Sequence, residues 1–306
     1  MNNFLNLNKN ETTALKGIAI LFVLFGHLGY IYAAGAWGVN LFLILSGYGI
    51  AKSNKTQIKE NFFKDKIKKI YFPYVLMTFV VLLFYIIFNF NFIDIKTIIF
   101  SILGLDFGFL YDKTMWYISF IFVQYVLFYL SLKISKLTQN KQDFVLITTN
   151  LIFAFLLHII SRKYSIWNPG AGAYLYSYAF TIGIILSKLS EINIDLKAKR
   201  LSVMCIFALI IPTVVLYGNV HSILQYMIYA MAMPLACFLI MSLKKSDNNA
   251  LFTFLGKYSF SIYLWEGFLL ILYNNMVPES QHLIITDLVY IIITLLISYL
   301  YQKYII

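Results

Sequence analysis

The chain has 306 residues, 61% of them hydrophobic and 18% aromatic, and only 12% are charged. A soluble domain carries about 25% charged residues, and no fold of this length hides so much apolar surface from water. These figures exclude a soluble enzyme, a disordered protein and a secreted disulfide scaffold, and they define an integral membrane protein. The net charge of +11 reads as basic loops held on the cytoplasmic side and in contact with anionic lipid, and not as a nucleic-acid surface.

In chain order, the polar start MNNFLNLNKNETTALKG holds no cleavable signal peptide. Segments long and apolar enough to cross the hydrocarbon, which takes roughly 20 residues, lie near 14–33, 36–52, 71–90, 115–133, 143–161, 173–189, 201–217, 222–243, 254–276 and 283–302. The runs are long and do not alternate, so helices are predicted and a barrel is not. The expected fold is therefore an all-α integral membrane protein, one bundle of about ten transmembrane helices over residues 1–306 as a single domain. DIKTIIFSILGLDF, residues 94–107, is too short to span and reads as an interfacial or re-entrant piece. With both termini cytoplasmic, all of the 24 Lys and Arg except Lys96, Lys113, Arg162 and Lys163 fall on the inner side. That asymmetry is what the positive-inside rule demands. No internal repeat is visible, which disfavours an inverted-repeat transporter.

Ionisable groups inside apolar segments are expensive and are functional candidates. His27 lies in LKGIAILFVLFGHLGY and Glu266 in SFSIYLWEGFLL. Lys16 precedes His27 by eleven positions, close to three whole turns, so the two share a helix face about 16 Å apart along the axis. This places Lys16 at the cytoplasmic boundary and His27 past mid-bilayer. Glu266 follows Lys257 by nine residues, about 13 Å, which gives it a depth similar to that of His27 and makes it a candidate to orient or charge-balance the imidazole. FFKDKIKKIYFPY, residues 62–74, crowds Lys64, Lys66, Lys68 and Lys69 before a span. It reads either as a lipid-facing anchor or as a cytoplasmic phosphate site. In WGVNLFLILSGYGIAKS, residues 37–53, Gly38, Ser46, Gly47 and Gly49 suit close helix packing, and Asn40 is a polar group that must find a partner.

The remaining histidines, His158, His221 and His282, read as outer-boundary residues, and Trp116-Tyr117 as part of an interfacial aromatic belt. Cys205 and Cys237 read as small buried apolar residues. No cluster of metal-ligand spacing is present, and no metal is expected.

Taken in order, LKGIAILFVLFGHLGY, WGVNLFLILSGYGIAKS, FFKDKIKKIYFPY, MWYISFIFVQYVLFYL and LGKYSFSIYLWEGFLL resemble the membrane acyltransferase 3 family, the integral membrane O-acyltransferases of bacterial surface glycans. The family pattern of a basic residue, ten residues and then His matches Lys16 to His27, with Lys where the family usually has Arg. Its Arg-x-x-Arg ahead of Ile and Pro matches Lys66 and Lys69, with Ile70 and Pro73. Asn40 stands where Asp is common, Glu266 near a place where many members have His, and Gln124 near one where some have Glu.

The resemblance implies a protein of the bacterial cytoplasmic membrane that binds no permanent cofactor and uses acetyl-CoA as acyl donor, with Lys16, Lys66 and Lys69 on its phosphates. The acceptor it implies is a hydroxyl of a surface polysaccharide or a lipid-linked sugar. His27 is then either general base or transient acyl carrier, with Glu266 as its proton partner. The outer segments 91–114 and 162–173, with Trp167, Asn168, Pro169 and Gly170, are the expected acceptor entry. Membrane lipid is a partner, nucleic acid is not, and self-association is left open. The rival reading is a transporter or flippase for a glycan or lipid-linked intermediate, with His27 and Glu266 as a proton relay.

Overall fold

The computed structural model describes residues 5–54, 60–88, 94–105, 114–138, 141–166, 172–192, 196–219, 221–244, 249–277 and 283–304. Among them every regular element is helical. In order these are α1 (Lys9–His27), α2 (Ala34–Ser53) and α3 (Phe62–Lys66), which a π-helical turn (Ile67–Tyr71) joins to α4 (Phe72–Ile87). Then come α5 (Ile95–Leu103), α6 (Trp116–Ser135), α7 (Gln142–Lys163), a 3-10 turn (Ala173–Tyr176) and α8 (Ala179–Leu189). The chain closes with α9 (Leu196–Val215), α10 (Ile223–Lys244), α11 (Ala250–Met276) and α12 (Ile284–Tyr304).

Each of the ten expected segments holds a helix, and among the described residues six helices are long and apolar enough to cross a membrane: α2, the continuous run Phe62–Ile87, α6, α7, α10 and α12. The protein is thus an all-helical, multi-pass membrane protein. Two helices depart from their expected bounds. α8 has 11 residues, with the 3-10 turn taking up the start of its predicted segment, and it reaches only about 17 Å along its axis. α1 stops at His27 because Gly29 (φ 77°) and Ala33 (φ 54°) reverse the chain, so His27 ends the first helix instead of lying inside a longer span.

The chain divides into two compact units, with boundaries running through α6, α7 and α11. The first comprises Met1–Gln57, Leu130–Leu157 and Leu175–Ser259. Its centre is α2, which packs against α1, α8 and α10. α2 is apolar around its whole circumference, as a centrally buried helix must be, and 72% of its apolar stretch is buried. Glycines set the closest approaches, as expected for Gly38 and Gly47. A β-carbon on Gly47 would lie 2.0 Å from the Phe180 carbonyl oxygen, and one on Gly183 2.1 Å from that of Ile44. Gly49, by contrast, faces open space, because it sits two positions from Gly47 and so on the other side of α2. At the start of α1, Asn8 and Glu11 form a reciprocal capping box.

The second unit comprises Ile58–Tyr129, His158–Tyr174 and Phe260–Ile306. α3 with the π-helical turn runs antiparallel to α6, with Phe62 against Phe128 at one level and Tyr71 against Phe122 at the next. α5 doubles back along α4. The Tyr71 hydroxyl donates to the Ile102 carbonyl at 2.9 Å, and that of Tyr74 donates to Ser101. α5, with 9 residues too short to cross a membrane, thus lies against a candidate span. The last carbonyls of a helix have no partner within it. Here two tyrosines supply hydroxyls, and Gly104 (φ 69°) closes the end with the Leu105 N–H on the Phe100 carbonyl. α11 and α12 meet along a polar seam in which Ser261 donates to Gln302, and Tyr290 to the backbone carbonyl of Glu266. Tyr301 ties α12 to α4 through the Pro73 carbonyl at 2.9 Å.

Only 28% of the apolar stretch is buried in Phe62–Ile87, in α7 and in α12, which makes their open sides the lipid-facing ones. Cys205, expected to be buried, is exposed on α9. Trp116, expected in an interfacial belt, is buried against Phe120.

Candidate functional site

His27 is the last residue of α1, and it is exposed although Val23 and Leu24, one turn earlier, are buried. Lys16 is likewise exposed on the same helix. Ile20 and Val23, between them on that face, are buried, and Val23 packs against Gly38 of α2. The stripe from Lys16 to His27 is therefore open at its two ends and filled in the middle.

Beside it, α2 and α10 are joined by an arrangement that a proline dictates. Pro234 lies inside α10. Having no N–H, it leaves the Ala230 carbonyl without its i+4 donor. Asn40 of α2 supplies the missing hydrogen bond, its Nδ2 donating to Ala230 at 2.9 Å. Trp37, one turn earlier on α2, donates its indole N–H to the Tyr229 carbonyl at 3.1 Å. The Tyr229 hydroxyl in turn donates to Tyr32 at 2.7 Å, in the turn that follows His27. Asn40 is the right residue for this place because its amide donates, whereas an ionised Asp accepts only.

In the second unit, Lys66 ends α3 and Lys69 lies on the π-helical turn. Lys64, Lys68 and Lys69 are exposed and Lys66 is half-buried. The Lys66 ammonium lies 4.2 Å from the Tyr125 ring centre, a cation–π geometry. The π turn has a sequence cause. Pro73 cannot donate to the Lys69 carbonyl, and its ring crowds it. The ladder widens to i+5, with the Phe72 N–H on the Ile67 carbonyl. Contacts of Phe62 and Phe63 with Tyr129 fix the turn against α6.

Glu266 is fully buried on α11, next to Trp265, whose ring meets Tyr301 edge-on at 5.7 Å. Another buried acid, Asp287, escaped the sequence reading. It accepts from the Tyr273 hydroxyl in the first turn of α12. The signal was present, since Asp287 lies inside the expected span 283–302 and obeys the same rule that singled out Glu266.

Lys16 and His27 thus share α1 in the first unit, while Lys66, Lys69 and Glu266 sit on three separate elements of the second. His158 is half-buried, with Nδ1 3.0 Å from the Tyr174 carbonyl, and His221 is exposed. His282, Lys113 and the stretch Trp167, Asn168, Pro169 and Gly170 lie outside the described residues. Among the described residues no group of His, Cys, Asp and Glu has the arrangement of a metal site.

These elements define a polytopic helical membrane protein that sets a few polar groups into apolar helices and keeps an imidazole accessible at a helix end. Comparison with known families carries this further: a family model described as an acyltransferase domain matches residues 10–303, nearly the whole chain. The chain belongs to the acyltransferase 3 family and is a membrane acyltransferase. Neither the curated proteins nor the solved structures gave a match.

Proposed function

We propose that this acyltransferase moves an acetyl group from cytoplasmic acetyl-CoA to a hydroxyl of a surface polysaccharide or lipid-linked sugar, in the cytoplasmic membrane of a bacterium. In this reading ten helices form the membrane domain and both termini face the cytoplasm. His27 takes the proton of the acceptor hydroxyl as its oxygen attacks the thioester carbonyl. The C–O bond forms, the C–S bond breaks, and the proton passes to the departing thiolate. Lys16, Lys66 and Lys69 are assigned to the donor's phosphates, which ammonium groups attract as point charges. Glu266 is assigned to proton balance, as a carboxylate set deep in an apolar helix.

The observation that supports this reading, beyond family membership, is the position of His27. It is exposed at a helix end that the Asn40–Ala230 and Tyr229–Tyr32 hydrogen bonds hold in place. The test is acetyl-CoA binding and consumption by the purified protein, wild type beside His27→Ala. The expected result is that the variant still binds the donor and loses turnover by at least the roughly 100-fold typical of a general base. A wild type that binds no acyl-CoA, or a variant with full turnover, overturns the reading.

A further inference from the structure

The second unit carries a groove of about 580 Å³ between the π-helical turn, the end of α5 and α6. Phe63, Ile67 and Tyr71 form one wall, Phe122 and Val126 the other, and Leu105 the far end. Along α6 it runs from Ile118 to Val126, about 12 Å. At the ~30 Å³ that a water-sized group occupies, its volume suits one long hydrocarbon chain.

The lining is almost wholly apolar, and its hydroxyls are engaged: Tyr71 donates to the Ile102 carbonyl and Ser119 to the Trp116 carbonyl. A pantetheine arm or a sugar would bury polar groups there without partners, which is unfavourable; a hydrocarbon chain would not. The groove opens sideways, where Ile67, Leu105 and Val126 are exposed beside the exposed Phe72. A chain therefore enters from the bilayer. At the Phe63–Val126 end the helix places Lys64 and Lys68 on one side of the Phe63–Ile67 stripe and Lys66 on the other, with Asp65 the single acid among them. The occupant's polar end is accordingly negative.

We propose that this groove binds one anionic phospholipid of the host membrane, with an acyl chain against Phe122 and Val126 and its phosphate at Lys64 and Lys68. The site goes beyond the acyl-transfer reading and does not rest on it. Neither Lys64 nor Lys68 is assigned there, so the two readings fail separately.

The test uses the full chain purified in a neutral detergent, with phosphatidylglycerol, phosphatidylcholine and inorganic phosphate as probes. Native mass spectrometry reads bound lipid, and thermal unfolding reads stabilisation. Wild type should hold one phosphatidylglycerol in preference to phosphatidylcholine. Lys64→Gln/Lys68→Gln should weaken phosphatidylglycerol about 25-fold, at about five-fold for each basic residue near an anionic headgroup, and leave phosphatidylcholine unchanged. Val126→Trp, at an already exposed position, should fill the groove and expel both lipids. Equal retention of the two lipids by wild type overturns the proposal, as does stabilisation by inorganic phosphate equal to that by phosphatidylglycerol. Full binding by either variant also overturns it.

Discussion

Replacing Asn40 with Ala tests whether Pro234 is tolerated in α10 because α2 supplies the missing donor. The side chain makes one hydrogen bond, Nδ2 to Ala230 at 2.9 Å, and is 1% exposed. Its loss leaves a buried carbonyl unsatisfied, which costs about 1–3 kcal/mol. Two effects reduce that figure. The Asn40 Oδ1 is itself buried without a partner, so its removal relieves a desolvation cost. In addition, interhelical hydrogen bonds within membranes contribute about 0.6 kcal/mol on average and about 1.7 at most. The net expectation is a loss of about 1–1.5 kcal/mol. The decisive measurement is a double-mutant cycle with Pro234→Ala, read by equilibrium unfolding in mixed micelles. Pro234→Ala restores an N–H four residues after Ala230, so the carbonyl no longer needs Asn40. In that background Asn40→Ala should be nearly neutral, giving a coupling of about 1 kcal/mol. If Asn40→Ala costs the same in the wild type and in the Pro234→Ala background, the explanation of Asn40 is wrong.

The other predictions concern packing, ion pairing and the buried acids. Gly47→Ala drives a methyl into the Phe180 carbonyl at 2.0 Å and should cost about 1–3 kcal/mol by overpacking, whereas Gly49→Ala, with nothing within 4 Å, should keep or raise the unfolding midpoint, by up to about 1 kcal/mol of helix stabilisation. Lys188→Ala breaks a 2.7 Å ion pair with Asp143. Because Asp143 is 61% exposed there, the loss should stay below about 1 kcal/mol and shrink further in high salt. Tyr273→Phe takes a hydroxyl from the buried Asp287 carboxylate and should lower stability by about 1–3 kcal/mol. Thr286→Ala, which touches the same tyrosine from a half-buried position, should cost less in the same unfolding assay.

Helix identity was legible wherever apolar length decided it. α6, α7, α10 and α12 fall within two residues of their expected ends, because a sustained apolar run bounded by charge leaves little freedom. The stretch Ile95–Leu103 was legible as a helix too short to cross. Its docking was not. Nothing in the local sequence says that Tyr71 and Tyr74, some 30 residues earlier, would cap its last carbonyls. The end of the first helix was misplaced for a related reason. Hydropathy continues through His27 to Tyr32, and only the backbone preference of Gly29 marks the reversal, a single-residue signal inside an apolar window.

The site divides along the same line. A rule about single residues, that polar groups in apolar helices are costly and need a reason, found His27 and Glu266 and required a partner for Asn40. It could not find that partner, because Ala230 looks like any small residue until Pro234, four places on, is seen to have removed its donor. The lysines after Asn61 show the converse. Their spacing suggested one basic patch, but Pro73 widens the helix into a π turn over Ile67–Tyr71 and alters the angular order in which the lysines are presented. Lys66 lies on the Tyr125 ring of α6, while Lys64, Lys68 and Lys69 stay exposed. In both places a proline removes a hydrogen bond from one helix. The repair decides how each polar side chain is presented: Asn40 is engaged within the fold, Lys66 is held against an aromatic ring, and Lys64 and Lys68 stay exposed.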